Sequence, residues 1–254
     1  MTDDAADGLP RRARLALRVQ RGVAWALSPL TTLAALLLLR GWLRLRFEGV
    51  GELRRAYRDS LRASPAPLLI CGNHLTMIDS ALIAYALGSP GWYVAHFSAL
   101  PWNLPDRSIF AATRWSSALA YVYKCLPIAR RGSRDEVAAT LTRFAWLLRR
   151  GEVGLVFPEG GRSRSGRVET GNAAYGVGRV LKAAPGCRVL CVYLRGDAQR
   201  QYSGLPARGD RIRTRISWLQ PKTDRGGLRG SVEVARQILS RLAELEREHL
   251  DAVA

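Results

Sequence analysis

Lysine, histidine and cysteine are scarce in this 254-residue chain. Lys124, Lys182 and Lys222 are the only lysines among 39 basic residues, and His74, His96 and His249 are the only imidazoles. Cysteine is limited to Cys71, Cys125, Cys187 and Cys191, each in an apolar stretch and none in a C-x-x-C pair. With so few ligands no metal-binding spacing can be read, and the thiols are expected to be buried and free in a reducing compartment. Neither a metal nor a cofactor is expected. Zinc-finger spacing, an RNA-recognition signature, a basic zipper, repeats and low-complexity tracts are also missing. Acid is absent from Pro10 to Arg46, a stretch that holds Arg11, Arg12, Arg14, Arg18, Arg21, Arg40, Arg44 and Arg46.

The excess of base, +18 at pH 7, suits a partner that carries phosphate, either nucleic acid or an anionic membrane surface. Its distribution favours the membrane. Val23 to Leu39 is a run without charge, enclosed by the arginines. As a helix it would be about 25 Å long, short of the roughly 30 Å hydrocarbon core, and Pro29 interrupts it. An interfacial or re-entrant helical element, with arginines among the headgroups, fits best; a short tilted span and a buried core helix are the alternatives. A signal peptide fits poorly, because Arg40-Gly41-Trp42 follows without a small-residue cleavage pattern. Nucleic acid is disfavoured, and the expected location is the cytoplasmic face of the cell membrane.

The length suits one α/β domain with an N-terminal appendage. Residues 1–9 read as an acidic, disordered tail, 10–62 as the basic and apolar membrane-associating region, and 63–254 as the α/β domain. Short apolar runs at Ala66–Cys71, Gly91–Phe97, Cys125–Ala129, Val153–Phe157, Arg188–Leu194 and Ile212–Leu219 read as strands, with a further short one at Leu43–Phe47. Helices are expected at Val50–Arg62, Ile78–Leu87, Arg107–Tyr123, Asn172–Ala184 and Val232–Leu250, the last turning Ile238, Leu242 and Leu245 inward. Another begins at Ser133, where Glu136 completes a capping-box spacing, and buries Val137, Leu141, Phe144 and Leu148. Leu100–Pro105 reads as a loop bordering the acyl or membrane side. Alternating strands and helices predict a mixed, largely parallel sheet flanked by helices, with functional loops at strand ends.

Two such loops carry chemistry. In Cys71-Gly72-Asn73-His74-Leu75-Thr76-Met77-Ile78-Asp79-Ser80 an apolar run stops at His74, with Asp79 five residues on. On one regular helix those side chains would point roughly 140° apart. With His74 on the loop, Thr76 as N-cap and Asp79 in the first helical turn, the carboxylate comes back under the imidazole and orients it as a base. The plain alternative is a capping or surface histidine. Phe157-Pro158-Glu159-Gly160-Gly161-Arg162-Ser163-Arg164-Ser165-Gly166 places a carboxylate, two arginines and a glycine pair directly after a buried strand, where backbone can approach a ligand; the alternative is a flexible polar turn.

These two stretches resemble the H-x4-D and F-P-E-G-x-R-S signatures of the glycerolipid acyltransferase superfamily, which includes the 1-acylglycerol-3-phosphate O-acyltransferases. Pro127-Ile128-Ala129-Arg130-Arg131-Gly132 resembles the family's arginine motif, and Val189–Gly196 its late hydrophobic strand. The resemblance covers about residues 65 to 200. Two positions depart from it: Gly161, where the family commonly has Thr, and Cys191, where it commonly has Pro.

The resemblance implies a membrane-associated acyltransferase that moves a fatty acyl group from an acyl thioester, acyl-CoA or acyl-carrier protein, to the hydroxyl of a lysophospholipid. It implies His74 as general base, Asp79 as its support, and direct transfer without an acyl-enzyme. Arg130 and Arg162 would hold an acceptor phosphate, with Arg131 competing for the role of Arg130. Glu159 would align Arg162 or the glycerol backbone, Gly160, Gly161 and Ser163 complete the binding loop, and Arg164 is a solvated charge. The favoured acceptor is 1-acylglycerol-3-phosphate, giving phosphatidic acid. A lyso-aminolipid or glycolipid acceptor, and a non-enzymatic lipid-binding scaffold, are the alternatives.

Overall fold

The computed structural model describes residues 8–130, 132–171 and 173–252. Helix α1 (Arg11–Ala26) is followed by α2 (Ser28–Leu36), which runs into a π-helical turn at Leu37–Trp42. Pro29 lies in the first turn of α2, where its missing N–H leaves no bond unmade, and the chain bends there by 59°. Among the described residues no single helix is long and apolar enough to cross a membrane; the bent pair meets that test only together. Next come β1 (Arg46–Phe47), α3 (Val50–Ala63), β2 (Leu68–Gly72), α4 (Asp79–Leu87) and α5 (Pro90–Ala95). They are followed by β3 (Trp102–Asn103), α6 (Arg107–Phe110), α7 (Arg114–Val122), α8 (Arg134–Arg149) and β4 (Val153–Val156). Helix α9 (Tyr175–Ala183), β5 (Arg188–Gly196), β6 (Arg211–Leu219) and α10 (Gly227–Asp251) complete the chain.

Among the described residues six strands form one sheet in the order β1-β6-β5-β2-β4-β3, parallel throughout except at the β5–β6 pair. Cys71 lies opposite both Val156 and Cys191, so β2, β4 and β5 deliver their carboxyl ends to one edge. In open parallel sheets that edge is where ligands bind.

Alternate residues along each strand feed two cores. Leu69, Cys71, Val156, Val189, Cys191 and Tyr193 face one cluster, which is closed by Phe144 and Leu148 of α8 and Ile238 and Leu242 of α10. Leu68, Ile70, Leu155, Leu190 and Val192 face the other, with Tyr57 of α3 and Leu82 and Ile83 of α4. Because both faces are covered, these strands read in sequence as continuous apolar runs. Each fully buried Leu or Ile contributes about 1.5–3 kcal/mol, and cutting Ile70 to Ala would cost about 2–5 kcal/mol. Gly154 lets α8 approach the sheet: a Cβ there would lie 2.5 Å from the Phe144 ring. The helix that carries Phe144 starts as expected, with the Ser133 hydroxyl accepting from the Glu136 amide at 3.2 Å and the Glu136 carboxylate accepting from the Ser133 amide at 3.1 Å.

Several expectations are corrected. Gly91–Phe97 is helix α5 leading into a 3-10 turn at Phe97–Ala99, not a strand: Pro90 sits at its first position and the Ser89 hydroxyl caps the Trp92 amide. Leu100–Pro105 is not all loop: it contains edge strand β3, whose Trp102 is fully buried. The expected helix at Arg107–Tyr123 is two, because Asp106 caps the first and a Thr113–Ser116 capping box starts the second. Cys125–Ala129 makes only isolated bridges, Asn103 to Cys125 and Asp106 to Ile128, and Leu43–Phe47 pairs only at Arg46–Phe47. Residues 1–7, Arg131 and Asn172 lie outside the described residues, while Leu9 is buried against the first core.

The N-terminal helices are bolted to the α/β layers. Leu17 joins one core and Leu39, Leu43 and Leu45 the other, and Gln20 donates to the carbonyls of Tyr121 and Cys125. Arg21 donates at 2.6 Å to Glu152, which also accepts from Trp102 Nε1 (2.8 Å), Ser98 (3.1 Å) and Lys124 (2.7 Å). Lys124 is fully buried, and its other two protons go to the carbonyls of Phe97 and Leu100. Burial pushes its ammonium down to about 8 despite the opposing pull of Glu152. Burial alone would raise the Glu152 carboxyl, but Lys124 foremost, with Arg21 and Trp102, holds it below its ordinary range. This knot carries no sequence signature.

Candidate active site

The site grows out of the carboxyl ends of β2 and β4. Beyond Gly72 the chain leaves the sheet, and the Asn73 amide clasps β5: Nδ2 donates to the Leu194 carbonyl at 3.0 Å, and Oδ1 accepts the Leu194 N–H at 2.8 Å. That bidentate clasp sets the start of the turn that carries His74. Five residues after His74, Asp79 opens α4 and gathers the turn. Its Oδ2 accepts from His74 Nδ1 (2.9 Å) and from the amides of Leu75 (2.5 Å) and Thr76 (2.7 Å), while Oδ1 accepts from the Thr76 hydroxyl (2.5 Å). Imidazole and carboxylate therefore meet, as expected, but Thr76 does not cap the helix. Ile78 occupies the N-cap position, and Thr76 instead donates to Asp79. A carboxylate bound this way needs the Nδ1–H tautomer, which leaves Nε2 as the basic nitrogen. Among the described residues, Nε2 has no hydrogen-bond partner.

The loop after β4 grips the same histidine from the other side. Phe157 stacks on the imidazole, with ring centroids 4.0 Å apart and planes 10° off parallel. The His74 amide donates to Glu159 Oε1 at 3.3 Å, and its carbonyl accepts from the Ser163 amide at 2.9 Å. The second oxygen of Glu159 takes the Glu169 amide at 3.4 Å. Glu159 thus braces main chain; no bond to Arg162 is formed, contrary to one of its two expected uses. Burial pushes its carboxyl up to about 7, although the Glu169 and His74 amides oppose the shift.

Gly160 has φ +71°, a left-handed conformation that L side chains rarely adopt, and its carbonyl accepts from Arg130 Nη1. Arg130 also lies 3.7 Å from Asp106. A Cβ on Gly161 would meet nothing closer than Arg130 Nη1 at 3.9 Å, so the departure at this position leaves open space beside that guanidinium. Arg162 donates to the Ser203 carbonyl at 3.4 Å and lies over the Tyr202 ring. The Ser163 side chain is buried, bonded to Ser165 and to the Arg167 carbonyl, and so shapes the loop without facing a ligand. Arg164 is exposed.

The structure therefore gathers His74, Asp79, Arg130, Glu159, Gly160, Gly161, Arg162 and Ser163 around one turn. Asn73 and Phe157, not singled out from sequence as site residues, belong with them. Their signal was adjacency: each sits where a buried strand gives way to a polar loop. Cys191, the other departure, is fully buried within the sheet opposite Cys71, and burial pushes its thiol up to about 12. All four thiols are free, Cys125 being only partly covered. Among the described residues, no group of three or more His, Cys, Asp or Glu side chains is placed to hold a metal ion.

An imidazole with one nitrogen locked and the other open, on a turn bonded to the loop that carries Arg162 and holds Arg130, can relay a proton at a site that also offers guanidinium groups to an anion. No curated protein matches the chain. A family model described as Acyltransferase matches residues 53–195, more than half of its length and the whole of the clustered site. The chain belongs to that acyltransferase family, within the glycerolipid acyltransferase superfamily, and its general function is acyl transfer.

Proposed function

We propose that the protein transfers a fatty acyl group from an acyl thioester, carried by CoA or acyl-carrier protein, to the free hydroxyl of 1-acylglycerol-3-phosphate, giving phosphatidic acid. The observation that carries this reading is His74 Nδ1 held 2.9 Å from an Asp79 oxygen that also takes two main-chain amides. The acceptor oxygen attacks the thioester carbonyl carbon while Nε2 takes its proton. Collapse of the tetrahedral adduct breaks the C–S bond, and the imidazolium returns the proton to the departing thiolate. Asp79 stabilises the transient imidazolium, and Phe157 presents a π-face to it. Oriented base catalysis of this kind contributes about 10²- to 10⁴-fold.

Arg130 and Arg162 supply the acceptor's phosphate contacts, since a guanidinium offers paired donors to phosphate oxygens. The open space at Gly161 supports a second reading, in which the same chemistry serves another amphiphilic acceptor with a bulkier headgroup. The helix pair is read as the membrane element, at the cytoplasmic face. Leu15, Val19 and Trp25 of α1 and Leu30 and Leu33 of α2 are exposed, amid a stretch rich in arginine and free of acid.

Purified protein assayed with acyl-CoA and acyl-carrier-protein donors against a panel of lysolipids tests the proposal. Transfer to 1-acylglycerol-3-phosphate that is lost in a folded His74→Ala variant is the expected result. Near-wild-type turnover by that variant removes the base from the mechanism.

A further inference from the structure

The segment joining β5 to β6 lies beyond residue 195, where the family match ends, yet it is tied into both halves of the site. The Ser203 amide donates to the Leu75 carbonyl at 2.9 Å, and the Met77 amide donates to the Gly204 carbonyl at 3.0 Å, so this segment runs alongside the His74 turn. A second set of ties joins it to the arginine loop. Arg195 donates to the carbonyls of Gly166 (2.7 Å), Gln199 (2.7 Å) and Arg200 (3.2 Å). Gly166 has φ +70°, and a Cβ there would stand 2.4 Å from the Arg200 carbonyl oxygen; only glycine lets loop and segment come this close. The segment is thus a strap that ties the His74 turn to the loop carrying Arg162.

At the middle of the strap sits Tyr202. The Arg162 guanidinium carbon lies 5.5 Å from its ring centroid, and Arg162 Nη1 reaches the adjoining Ser203 carbonyl at 3.4 Å. Among the described residues these are the only partners of Arg162, with no carboxylate on it. Its charge is therefore oriented by a ring and a dipole while remaining available to an anion. Tyr202 is 43 % exposed.

We propose that Tyr202, on this strap, is a positioning residue that holds Arg162 for the phosphate monoester of the acceptor and thereby sets acceptor preference. The inference rests on the reading of Arg162 as a phosphate contact. A guanidinium over an exposed ring gains an interaction that corresponds to about a two- to fivefold change in an equilibrium constant. A neutral or zwitterionic headgroup gains little from the same arrangement.

The test is a kinetic cycle on the full chain with Tyr202→Ala, Tyr202→Phe, Arg162→Ala and the Tyr202→Ala/Arg162→Ala double variant. Tyr202→Ala is expected to raise the KM for 1-acylglycerol-3-phosphate by about two- to fivefold while the donor KM and kcat hold. Tyr202→Phe, which keeps the ring, restores the acceptor KM. In the Arg162→Ala background the Tyr202→Ala change adds nothing, because the two residues act as one unit. An unchanged acceptor KM in Tyr202→Ala, an equal rise in the Arg162→Ala background, or a Phe variant as impaired as the Ala variant overturns the proposal. If the wild type acylates no phosphorylated lysolipid, the functional reading falls first. The positioning itself is then read by NMR of the Arg162 guanidinium, whose ring-current shift must vanish in Tyr202→Ala, and by titration with inorganic phosphate, which that variant must bind about two- to fivefold more weakly. No change in either measurement ends the proposal by a separate route.

Discussion

Phe157 lies flat on His74, ring centroids 4.0 Å apart, so the residue just past one buried strand fixes the plane of the imidazole that follows another. Ring stacking of this sort stabilises by about 0.5–1.5 kcal/mol beyond simple burial. Phe157→Ala is expected to lower kcat by about three- to tenfold with little change in either KM, since it frees the imidazole to tilt without removing it. Steady-state kinetics with both substrates check this, and a kcat equal to wild type would show that Asp79 alone orients the ring.

Asp79 has two tasks that can be separated. Asp79→Asn keeps an oxygen for the backbone amides but removes the charge that supports an imidazolium; kcat is expected to fall by about 10²-fold or more. Thr76→Val removes the hydroxyl that donates to Oδ1 and accepts from the Ile78 amide, leaves the carboxylate charge in place, and should cost about 0.5–1.5 kcal/mol of stability per bond lost, with a much smaller kinetic effect. Urea unfolding alongside turnover measurements distinguishes the two, and equal losses of kcat would count against this division.

The Glu159 carboxyl is raised from its ordinary value of 4.5 to about 7 by burial. Between those values the unfolded chain has released the proton that the folded chain keeps. Folding stability from this group therefore falls as pH rises from 4.5 to 7, and the loss is complete above that window. Because the group is partly exposed, the effect is expected to be about 1–3 kcal/mol at most. Glu159→Gln retains an oxygen for the His74 amide and should flatten the slope; denaturant melts of both proteins at pH 5 and pH 8 measure the difference. A variant with an undiminished slope would place the titration elsewhere.

Lys124→Met empties the centre of the buried knot. Glu152 would keep Arg21, Trp102 and Ser98, so the expected loss is about 3 kcal/mol, the low end for breaking a buried pair. Thermal or urea unfolding reports it. A stability within 1 kcal/mol of wild type, an estimate set by surface pairs, would mean that the ammonium is far less committed than its three bonds indicate.

What could be read from sequence follows from which interactions are local. The capping box at Ser133, the apolar spacing of Val137, Leu141, Phe144 and Leu148, and the inward set of Ile238, Leu242 and Leu245 are periodic or short-range, and all stand in the structure. Gly91–Phe97 reads as a strand because its aromatic and branched residues suit one, while Ser89 and Pro90 just upstream make it a helix start. His74 and Asp79 were legible as a pair through their spacing. Their bracing was not: Asn73 bonds Leu194 across 121 positions and Glu159 bonds His74 across 85, separations at which no local pattern survives. Lys124 was hidden for the same reason, since its partners Phe97, Leu100 and Glu152 converge only after the sheet forms.

Glu152 stands one residue before β4, and the other end of that four-residue strand leads directly to Phe157. Because the same carboxylate holds Arg21 of the first helix, the leading helix has no hinge at this point on which to swivel relative to the catalytic turn. On the proposed reading of the helix pair as a membrane element, the angle at which the His74 turn meets that surface is accordingly built into the fold.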